Sequence, residues 1–201
     1  MTRWREFRRA EPGFDCTVLG TQVHGARVLW HDGGRGWMQV DGVDGHATAT
    51  AGILLTVTVA DCIPVYLVAP ERRAIALLHA GWRGTAGGIL RTGLAMLERQ
   101  AGVRADEVVM HAGVGICGAC YEVGSEVVEA VGQHARGPGP WHVALRRCLL
   151  EQAGELGVRH ATVSAWCSAH DRPRFYSHRA SRGTDGRMVA YLGIPLVTAR
   201  P

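Results

Sequence analysis

The stretch ILLTVTVADCIPVYLVAP, residues 53–70, decides the fold class because it contains two apolar runs rich in β-branched side chains. The runs are separated at Ala60-Asp61-Cys62, and Pro64 lies just inside the second. Short apolar runs that end at turn-forming residues are typical of buried strands. We therefore predict two buried strands, with Asp61 and Cys62 at the junction between them.

A third apolar run, AIALLH, follows and ends at His79. Residues 80–84 then lead into a pattern that places Leu90, Leu94 and Leu97 on one helical face. We expect His79 at the end of a strand, just before an amphipathic helix. Loops that follow strands often carry functional residues.

The remaining sequence alternates between the same two kinds of element. We predict strands at 108–110, 161–165 and 189–192, and helices at 125–134 and 141–156. The inward-facing side chains of the last helix would be Leu145, Cys148, Leu149 and Leu156. The fold class is thus mixed α/β or α+β, a layered sandwich in which mixed β-sheets are flanked by helices.

Length and composition indicate one globular domain over residues 1–201, with 47% hydrophobic and 20% charged residues. No apolar run approaches the roughly eighteen residues of a membrane span, and the opening MTRWREFRRA lacks the apolar core of a signal peptide. We therefore expect a cytoplasmic protein with no membrane partner.

The formal charge of +4 is mildly basic, but the arginines are scattered rather than interleaved with aromatic residues. The N-terminal cluster is interpreted as a solvated terminal strand or tail rather than a basic arm; its members are Arg3, Arg5, Arg8 and Arg9. We expect no nucleic-acid partner, whereas an anionic small molecule remains compatible with the charge. The sequence gives no indication of oligomeric state.

Six cysteines in a reducing compartment favour metal ligands, catalytic groups or buried thiols over disulfides. They are Cys16, Cys62, Cys117, Cys120, Cys148 and Cys167. Cys117-Gly-Ala-Cys120 resembles half a zinc ribbon or a redox pair, but no second C-x-x-C completes it. We interpret these two residues as small buried thiols in a tight loop.

Three residues at the ends of apolar runs form a candidate metal site: His24 in TQVHG, Cys62 in VADCIP and His79 in LLHAGWRG. Two imidazoles and a thiolate suit zinc and leave a fourth position open, as in catalytic sites. The spacing follows no local motif. Two hydrogen-bonded loop histidines and a buried thiol are the structural alternative.

Four motifs, QVHG (22–25), ADCIP (60–64), HAGWRG (79–84) and CYEVG (120–124), together resemble the polyphenol oxidase or laccase-domain family. The likeness continues in CS (167–168), FYSHR (175–179) and GRM (186–188). It implies a laccase-domain fold of the cytotoxic necrotising factor-like cysteine hydrolase type. In that family the corresponding residues bind the metal, here His24, Cys62 and His79.

The resemblance also implies purine nucleoside phosphorylase activity, a transferase reaction. It would convert adenosine, inosine and methylthioadenosine with phosphate into a free base and ribose 1-phosphate. Hydrolytic deamination of adenosine would accompany it. Zn²⁺ is the expected metal, and Cu²⁺ is an alternative because copper outcompetes zinc for such ligands.

Roles follow for the residues around the implied site. Asp61 and Glu122 are candidate proton carriers, with Cys62 as a ligand at the reacting centre.

Arg83 is the first choice to bind phosphate, because a guanidinium binds phosphate oxygens bidentately. Arg179 and Arg187 are further substrate-binding candidates. For all three arginines, a surface or carboxylate-paired role is the alternative. Tyr121 would stack on or hydrogen-bond the base, or serve as a buried structural tyrosine.

Two departures from the family pattern bear on the pocket. Family members have a longer segment before QVHG, whereas twenty-one residues precede Gln22 here, so we expect part of the pocket to be missing or supplied otherwise. The family's Gly-Pro-x-Ile loop is Gly113-Val114-Gly115-Ile116, which loses a rigidifying proline.

Three rival functions remain at this stage. A copper-dependent polyphenol oxidase would need many histidines, often as His-x-His pairs, and none of the ten histidines lies two residues from another. A cysteine hydrolase would use Cys62 as nucleophile with His79 as base. A cell-wall editing factor would use the metal as a structural clamp closed by a fourth protein ligand.

Overall fold

The structure, a computed structural model, describes residues 2–171 and 173–196. Its helices are α1 (Thr2–Ala10), α2 (Trp82–Ala86), α3 (Ile89–Ala101), α4 (Ser125–Ala130) and α5 (Leu145–Glu155). Its first six strands are β1 (Cys16–Thr21), β2 (Val28–Trp30), β3 (Gly36–Asp41), β4 (Gly45–Thr48), β5 (Ile53–Val59) and β6 (Ile63–Ala69). The others are β7 (Ala74–Ala80), β8 (Val109–Ala112), β9 (Glu122–Val123), β10 (Trp141–His142), β11 (His160–Val163) and β12 (Met188–Gly193). None of the described helices is both long and apolar enough to cross a bilayer.

The strands form two large mixed sheets and one small ribbon. A four-stranded sheet has the order β12-β5-β1-β3, and a six-stranded sheet has the order β11-β8-β6-β7-β4-β2. Both sheets contain parallel and antiparallel pairs, and β9 pairs with β10. The mixed sheets flanked by helices confirm the predicted fold class.

Strand β7 is buried on both faces, which explains its unbroken apolar sequence. Ala76 and Leu78 face a core shared with α3, whereas Ile75 and Leu77 face a second core against the four-stranded sheet. Side chains alternate along a strand, so His79 follows Ile75 and Leu77 onto the side between the sheets. The layers are therefore sheet, sheet and helices, with His79 at the end of the central strand.

Helix α1 lies against the outer sheet through aromatic contacts. The Trp4 ring packs on Trp37 of β3 at 4.6 Å between centroids, and Phe7 packs on Tyr191 of β12 at 5.3 Å. These contacts bury apolar rings that a free tail would expose. The expectation of a terminal strand or tail around the N-terminal arginines is therefore wrong, because residues 2–10 form a helix.

The strands predicted at residues 53–70, at AIALLH and near 189–192 are confirmed, as is the helix that carries Leu90. The helix predicted over 141–156 is wrong at its start, because Trp141 pairs with Val123 in the β9–β10 ribbon. The helix predicted over 125–134 ends early at Ala130. Gly132, with φ of 79°, takes the chain out of helical geometry there.

Two buried histidines, His46 of β4 and His31 just after β2, are expected to make the protein sensitive to acid. His46 is fully buried, and its Nδ1 lies 3.0 Å from Nε2 of His31. Burial, then the neighbouring His31, lowers the pKa of His46 to about 3, and burial also lowers that of His31. Below the ordinary histidine pKa of about 6.5, these histidines therefore bind more protons in the unfolded chain than in the folded protein. The free energy of unfolding that is present above this pH is consequently lost as the pH falls.

Between pH 6.5 and pH 5.5, we expect the free energy of unfolding of the wild-type protein to fall by about 1 kcal/mol more than that of a His46→Gln variant. Urea unfolding of both proteins at the two pH values measures this difference. Equal losses in the two proteins would show that His46 is not the titrating group.

Candidate metal centre and active-site cavity

Three predicted ligands converge at one end of the central strand. The ligand atoms of His24, Cys62 and His79 all lie within 4.8 Å of one another. Antiparallel pairing of β6 with β7 aligns Ile63 with Ala80, so Cys62 lies just beside the end of the strand that carries His79. The ring of His24 crosses that of His79 edge to face at 4.9 Å. Backbone pairing thus brings together residues that are distant in sequence.

The loop after β1 presents His24 in a strained conformation. Its φ is 60°, a left-handed value that costs a residue with a side chain about 1–2 kcal/mol. Both carboxylate oxygens of Asp44 hold the loop there. They accept hydrogen bonds from the backbone N–H groups of Val23 at 3.1 Å, His24 at 2.9 Å and Gly25 at 2.8 Å. These bonds offset the backbone strain.

Asp44 also fixes the second imidazole. Pairing of β4 with β7 aligns Gly45 with Leu78 and brings Asp44 opposite His79. The backbone N–H of His79 donates to the Asp44 carbonyl at 2.7 Å, and Nδ1 of His79 lies 2.9 Å from Oδ1. A carboxylate bound to the far nitrogen of a metal-binding imidazole orients the ring and raises its basicity. Sequence reasoning missed Asp44 because only the β4–β7 pairing makes it a neighbour of His79.

The electrostatics of the cluster favour a thiolate. Burial opposes ionisation of Cys62, but hydrogen bonds and charge from His24 and His79 lower its pKa to about 7. Burial disfavours a charged His79, but Asp44 and Cys62 raise its pKa to about 9. Burial likewise opposes ionisation of Asp44, yet the bonds from His79, Gly25 and Val23 lower its pKa. A thiolate with two imidazoles is a donor set that fits Zn²⁺.

Gly81 leaves the space that this cluster needs. A Cβ at this position would lie 3.0 Å from Sγ of Cys62 and 3.2 Å from Cδ2 of His24. We expect Gly81→Ala to weaken zinc binding at least about tenfold, since one added methyl group displaces both ligands. Zinc competition with a chromophoric chelator measures this. Gly33→Ala is the control because a Cβ at Gly33 meets nothing within 4 Å, and equal affinities of the two variants would contradict the prediction.

Asp61 lies beside the cluster with both carboxylate oxygens already bonded. Its Oδ1 accepts bonds from the hydroxyls of Ser168 and Ser177, each at 2.7 Å, and its Oδ2 accepts the backbone N–H of Arg179 at 2.7 Å. Both serines are fully buried, and Asp61 itself has a left-handed φ of 88°. The carboxylate therefore joins the β5–β6 junction to the chain segment that carries Arg179.

The cluster opens into a cavity of about 680 Å³. All of the predicted site residues except Glu122 line it: His24, Asp61, Cys62, His79, Arg83, Tyr121, Arg179 and Arg187. The cavity wall also includes groups that were not predicted, among them Trp82 and His178. The residues just before QVHG contribute too, since Gly20 and Thr21 of β1 line the cavity.

The three cavity arginines are exposed, and in the described part of the chain their guanidinium groups have no carboxylate partner. Among residues 2–171 and 173–196, the ion pairs include none of Arg83, Arg179 and Arg187. Instead Arg83 stacks on the Trp82 ring at 4.3 Å, and Arg187 donates to the backbone carbonyls of Asp185 and Gly186. Their positive charge is available to an anion in the cavity.

Tyr121 and Glu122 occupy different positions although they are adjacent. Tyr121 lies under the Arg179 guanidinium at 5.3 Å; burial, then the Cys62 charge, raises its pKa to about 12, so the phenol keeps its proton. The Glu122 side chain is exposed and does not line the cavity, whereas its backbone carbonyl accepts a bond from Nη1 of Arg179 at 2.6 Å. The structure thus brings Tyr121 to the other site residues and leaves the carboxylate of Glu122 outside.

The family model described as multi-copper polyphenol oxidoreductase laccase matches residues 3–195. The chain belongs to this laccase family. Two solved laccase-family structures have the same fold. The Bacillus licheniformis hypothetical protein YfiH has a TM-score of 0.88 and 26% identity over 96% of this chain and 80% of its own. YlmD from Geobacillus stearothermophilus has a TM-score of 0.84 and 32% identity over 95% of this chain and 78% of its own.

Curated relatives of this laccase-domain chain carry the names of nucleoside enzymes. Purine nucleoside phosphorylase YlmD of Geobacillus stearothermophilus is 36% identical over 88% of this chain and 71% of the relative. A purine nucleoside phosphorylase of Deinococcus radiodurans is 39% identical over 87% of this chain and 68% of the relative. Adenosine deaminase RL5, from an unknown prokaryotic organism, is 34% identical over 86% of this chain and 73% of the relative. The family and the Cys/His cluster together indicate a metal-binding enzyme.

Proposed function

We propose that this chain is a metal-dependent purine nucleoside phosphorylase. The observation that carries the proposal is the placement of three arginines, none of which forms an ion pair with a carboxylate among the described residues, in the same cavity as a His₂Cys cluster. Phosphorolysis needs an anionic phosphate held beside a ribose that gains positive charge, and fixed guanidinium groups meet that need. The names of the curated relatives support the same reaction.

His24, Cys62 and His79 would hold the metal, with Zn²⁺ as the proposed ion and Cu²⁺ as an alternative. When bound, it supplies Lewis acidity that polarises an oxygen or lowers the pKa of water. Among the described residues this cluster has three ligands and opens into the cavity, which supports a catalytic site over a closed structural clamp. With two histidines and one cysteine, this cluster is a poor match for a multi-copper centre.

The protein's own residues divide the remaining tasks. Arg83, with Arg179 and Arg187 behind it, binds phosphate. Tyr121 either stacks its ring on the purine or donates a hydrogen bond to it from its protonated phenol. Asp61 positions Arg179 by accepting its backbone N–H at Oδ2, while Oδ1 of Asp61 accepts the hydroxyls of Ser168 and Ser177. Glu122 contributes its backbone carbonyl to Arg179, and its exposed carboxylate lies outside the cavity.

We propose adenosine deamination as a second activity of the same cavity, and the name of the relative adenosine deaminase RL5, which aligns over 86% of this chain, supports this proposal. Deamination needs a hydrolytic water but no phosphate. The two reactions are therefore separable by their dependence on phosphate.

The test is incubation of zinc-replete protein with adenosine, inosine and methylthioadenosine, with and without phosphate, followed by chromatography of the products. Free base and the matching sugar 1-phosphate that appear only with phosphate support phosphorolysis; the sugar phosphate is ribose 1-phosphate from adenosine or inosine and 5-methylthioribose 1-phosphate from methylthioadenosine. Inosine formed from adenosine without phosphate supports deamination. We expect Arg83→Gln to lower phosphorolysis at least about tenfold by raising the KM for phosphate, at a cost of about 1.4 kcal/mol or more. Arg35→Gln, at an exposed arginine outside the cavity, is the control. If none of the three nucleosides is consumed, the proposed function is wrong.

A further inference from the structure

A second cluster of soft ligands lies behind the cavity wall. The Sγ atoms of Cys117, Cys120 and Cys167 and a ring nitrogen of His170 all lie within 4.8 Å of one another. None of the four residues lines the cavity. We propose that these four residues bind a second, structural zinc ion.

The cluster consists of two short half-sites. Cys117 and Cys120 bracket a single 3₁₀ turn, in which the Cys120 N–H donates to the Cys117 carbonyl at 3.1 Å. Cys167 and His170 have the same three-residue spacing, and the Asp171 N–H donates back to the Cys167 carbonyl at 3.1 Å. The partner of the C-x-x-C motif is therefore a C-x-x-H motif fifty residues further along, with the spacing typical of zinc-binding turns.

The backbone holds the two half-sites in register. Gly115 and Cys167 form a parallel bridge, and the Ser168 N–H donates to the Gly115 carbonyl at 3.0 Å. The N–H groups of Cys117 and Ala169 point at Sγ of Cys167, at 3.3 and 3.4 Å. Such bonds stabilise a thiolate, which is the form that binds zinc.

His170 completes the donor set in the orientation of a zinc ligand. Its Nδ1 lies 3.3 Å from Sγ of Cys120 and 3.7 Å from Sγ of Cys117. Its Nε2 lies 3.6 Å from the Asp171 carboxylate, which is itself fixed by the Cys167 N–H at 2.6 Å. A carboxylate beside the second ring nitrogen is the usual companion of a zinc-bound histidine.

The chemistry favours zinc over a disulfide. All six cysteines are free thiols in the structure. A disulfide would join two sulfurs and leave the third cysteine and His170 without a role. In a tetrahedral site with Zn–S bonds of about 2.3 Å, the sulfur atoms lie about 3.8 Å apart. The ligand atoms here lie within 4.8 Å of one another, so a small contraction of the cluster would allow all four to bind one zinc ion. Four protein ligands leave no open position, which makes the site structural.

The ion would brace one wall of the cavity. Ile116 and Tyr121, which flank the C-x-x-C turn, both line the cavity, and Ser168 follows Cys167 and bonds Asp61. Crosslinking the two loops through zinc fixes these three residues relative to one another. The inference stands on this cluster alone and does not depend on the reaction proposed for the cavity.

The experiment counts zinc by elemental analysis in protein from zinc-supplemented cultures after desalting. Wild type should carry one zinc per chain more than Cys62→Ala, and Cys62→Ala should still carry one. Adding His170→Gln or Cys167→Ser to Cys62→Ala should remove that zinc. His134→Gln, at an exposed histidine outside both clusters, is the matched control and should keep it.

X-ray absorption at the zinc edge of folded Cys62→Ala protein makes the proposal independent of how the added variants fold. Three sulfur neighbours and one nitrogen neighbour are expected. The proposal is overturned if Cys62→Ala protein holds no zinc, if its zinc has another ligand set, or if a Cys117–Cys120 disulfide is found in the zinc-supplemented protein.

Discussion

Cys62→Ala is expected to lose the metal of the cavity and to lower nucleoside phosphorolysis by about 10³-fold or more. The thiolate is one of three ligands that converge within 4.8 Å. Its removal leaves two imidazoles, which hold zinc weakly. A bound metal contributes several kcal/mol of transition-state stabilisation, and each 1.4 kcal/mol corresponds to about tenfold in rate. Product analysis with elemental zinc counts measures both losses on one sample.

Cys148→Ala is the control, because Cys148 is a buried thiol on α5 that packs in the helix-side core and does not line the cavity. It should keep both metal and activity. A chelator separates a metal enzyme from a cysteine hydrolase, since removal of the metal should abolish activity if the metal is required. Activity that survives chelation but is lost to iodoacetamide would instead make Cys62 a nucleophile. A Cys62→Ala protein as active as wild type would reject the proposed site.

Asp44→Asn is expected to weaken zinc binding about 10–100-fold and to lower the free energy of unfolding by about 3 kcal/mol. Asp44 is fully buried and accepts three backbone N–H bonds besides its contact with Nδ1 of His79. The amide has one acceptor oxygen instead of two and carries no charge. Both the left-handed His24 loop and the orientation of the His79 ring lose support.

Chelator competition and urea unfolding measure the two effects of Asp44→Asn. Asp41→Asn is the matched control, because Asp41 is an exposed aspartate three residues upstream whose side chain, among the described residues, bonds only the Thr21 hydroxyl. If Asp44→Asn binds zinc as tightly as wild type does, the His79 ring does not need a carboxylate to orient it.

The sequence is sufficient to predict the strands around the site because their residues satisfy local rules. Strands β5, β6 and β7 are mostly apolar and mostly buried on both faces, as expected of strands in a layered core. The β9–β10 ribbon was missed because two residues from each of two distant segments pair with one another, and no local pattern encodes that pairing. Helix α1 was missed because its apolar contacts are with Trp37 and Tyr191, far along the chain.

The site was predictable to the extent that its chemistry is local. Histidine and cysteine at strand ends mark His24, Cys62 and His79 as ligand candidates in the sequence itself. Asp44 was not identifiable, since its role depends on the register of β4 against β7. The C-x-x-H partner of Cys117 and Cys120 was missed for the same reason, because a parallel bridge between Gly115 and Cys167 brings the two turns together. Asp61 was identified, but its two serine partners were not assigned as such.

The burial of β7 on both faces has a consequence for how metal enters and leaves the protein. The N–H of His79, in the central strand β7, donates to the Asp44 carbonyl. This N–H should exchange with deuterium only when the whole domain unfolds. His24 lies instead on an exposed loop that is part of neither hydrophobic core and is held by backbone bonds to Asp44. Metal exchange should therefore begin with release of the His24 imidazole, and its rate should follow the opening of that loop rather than global unfolding.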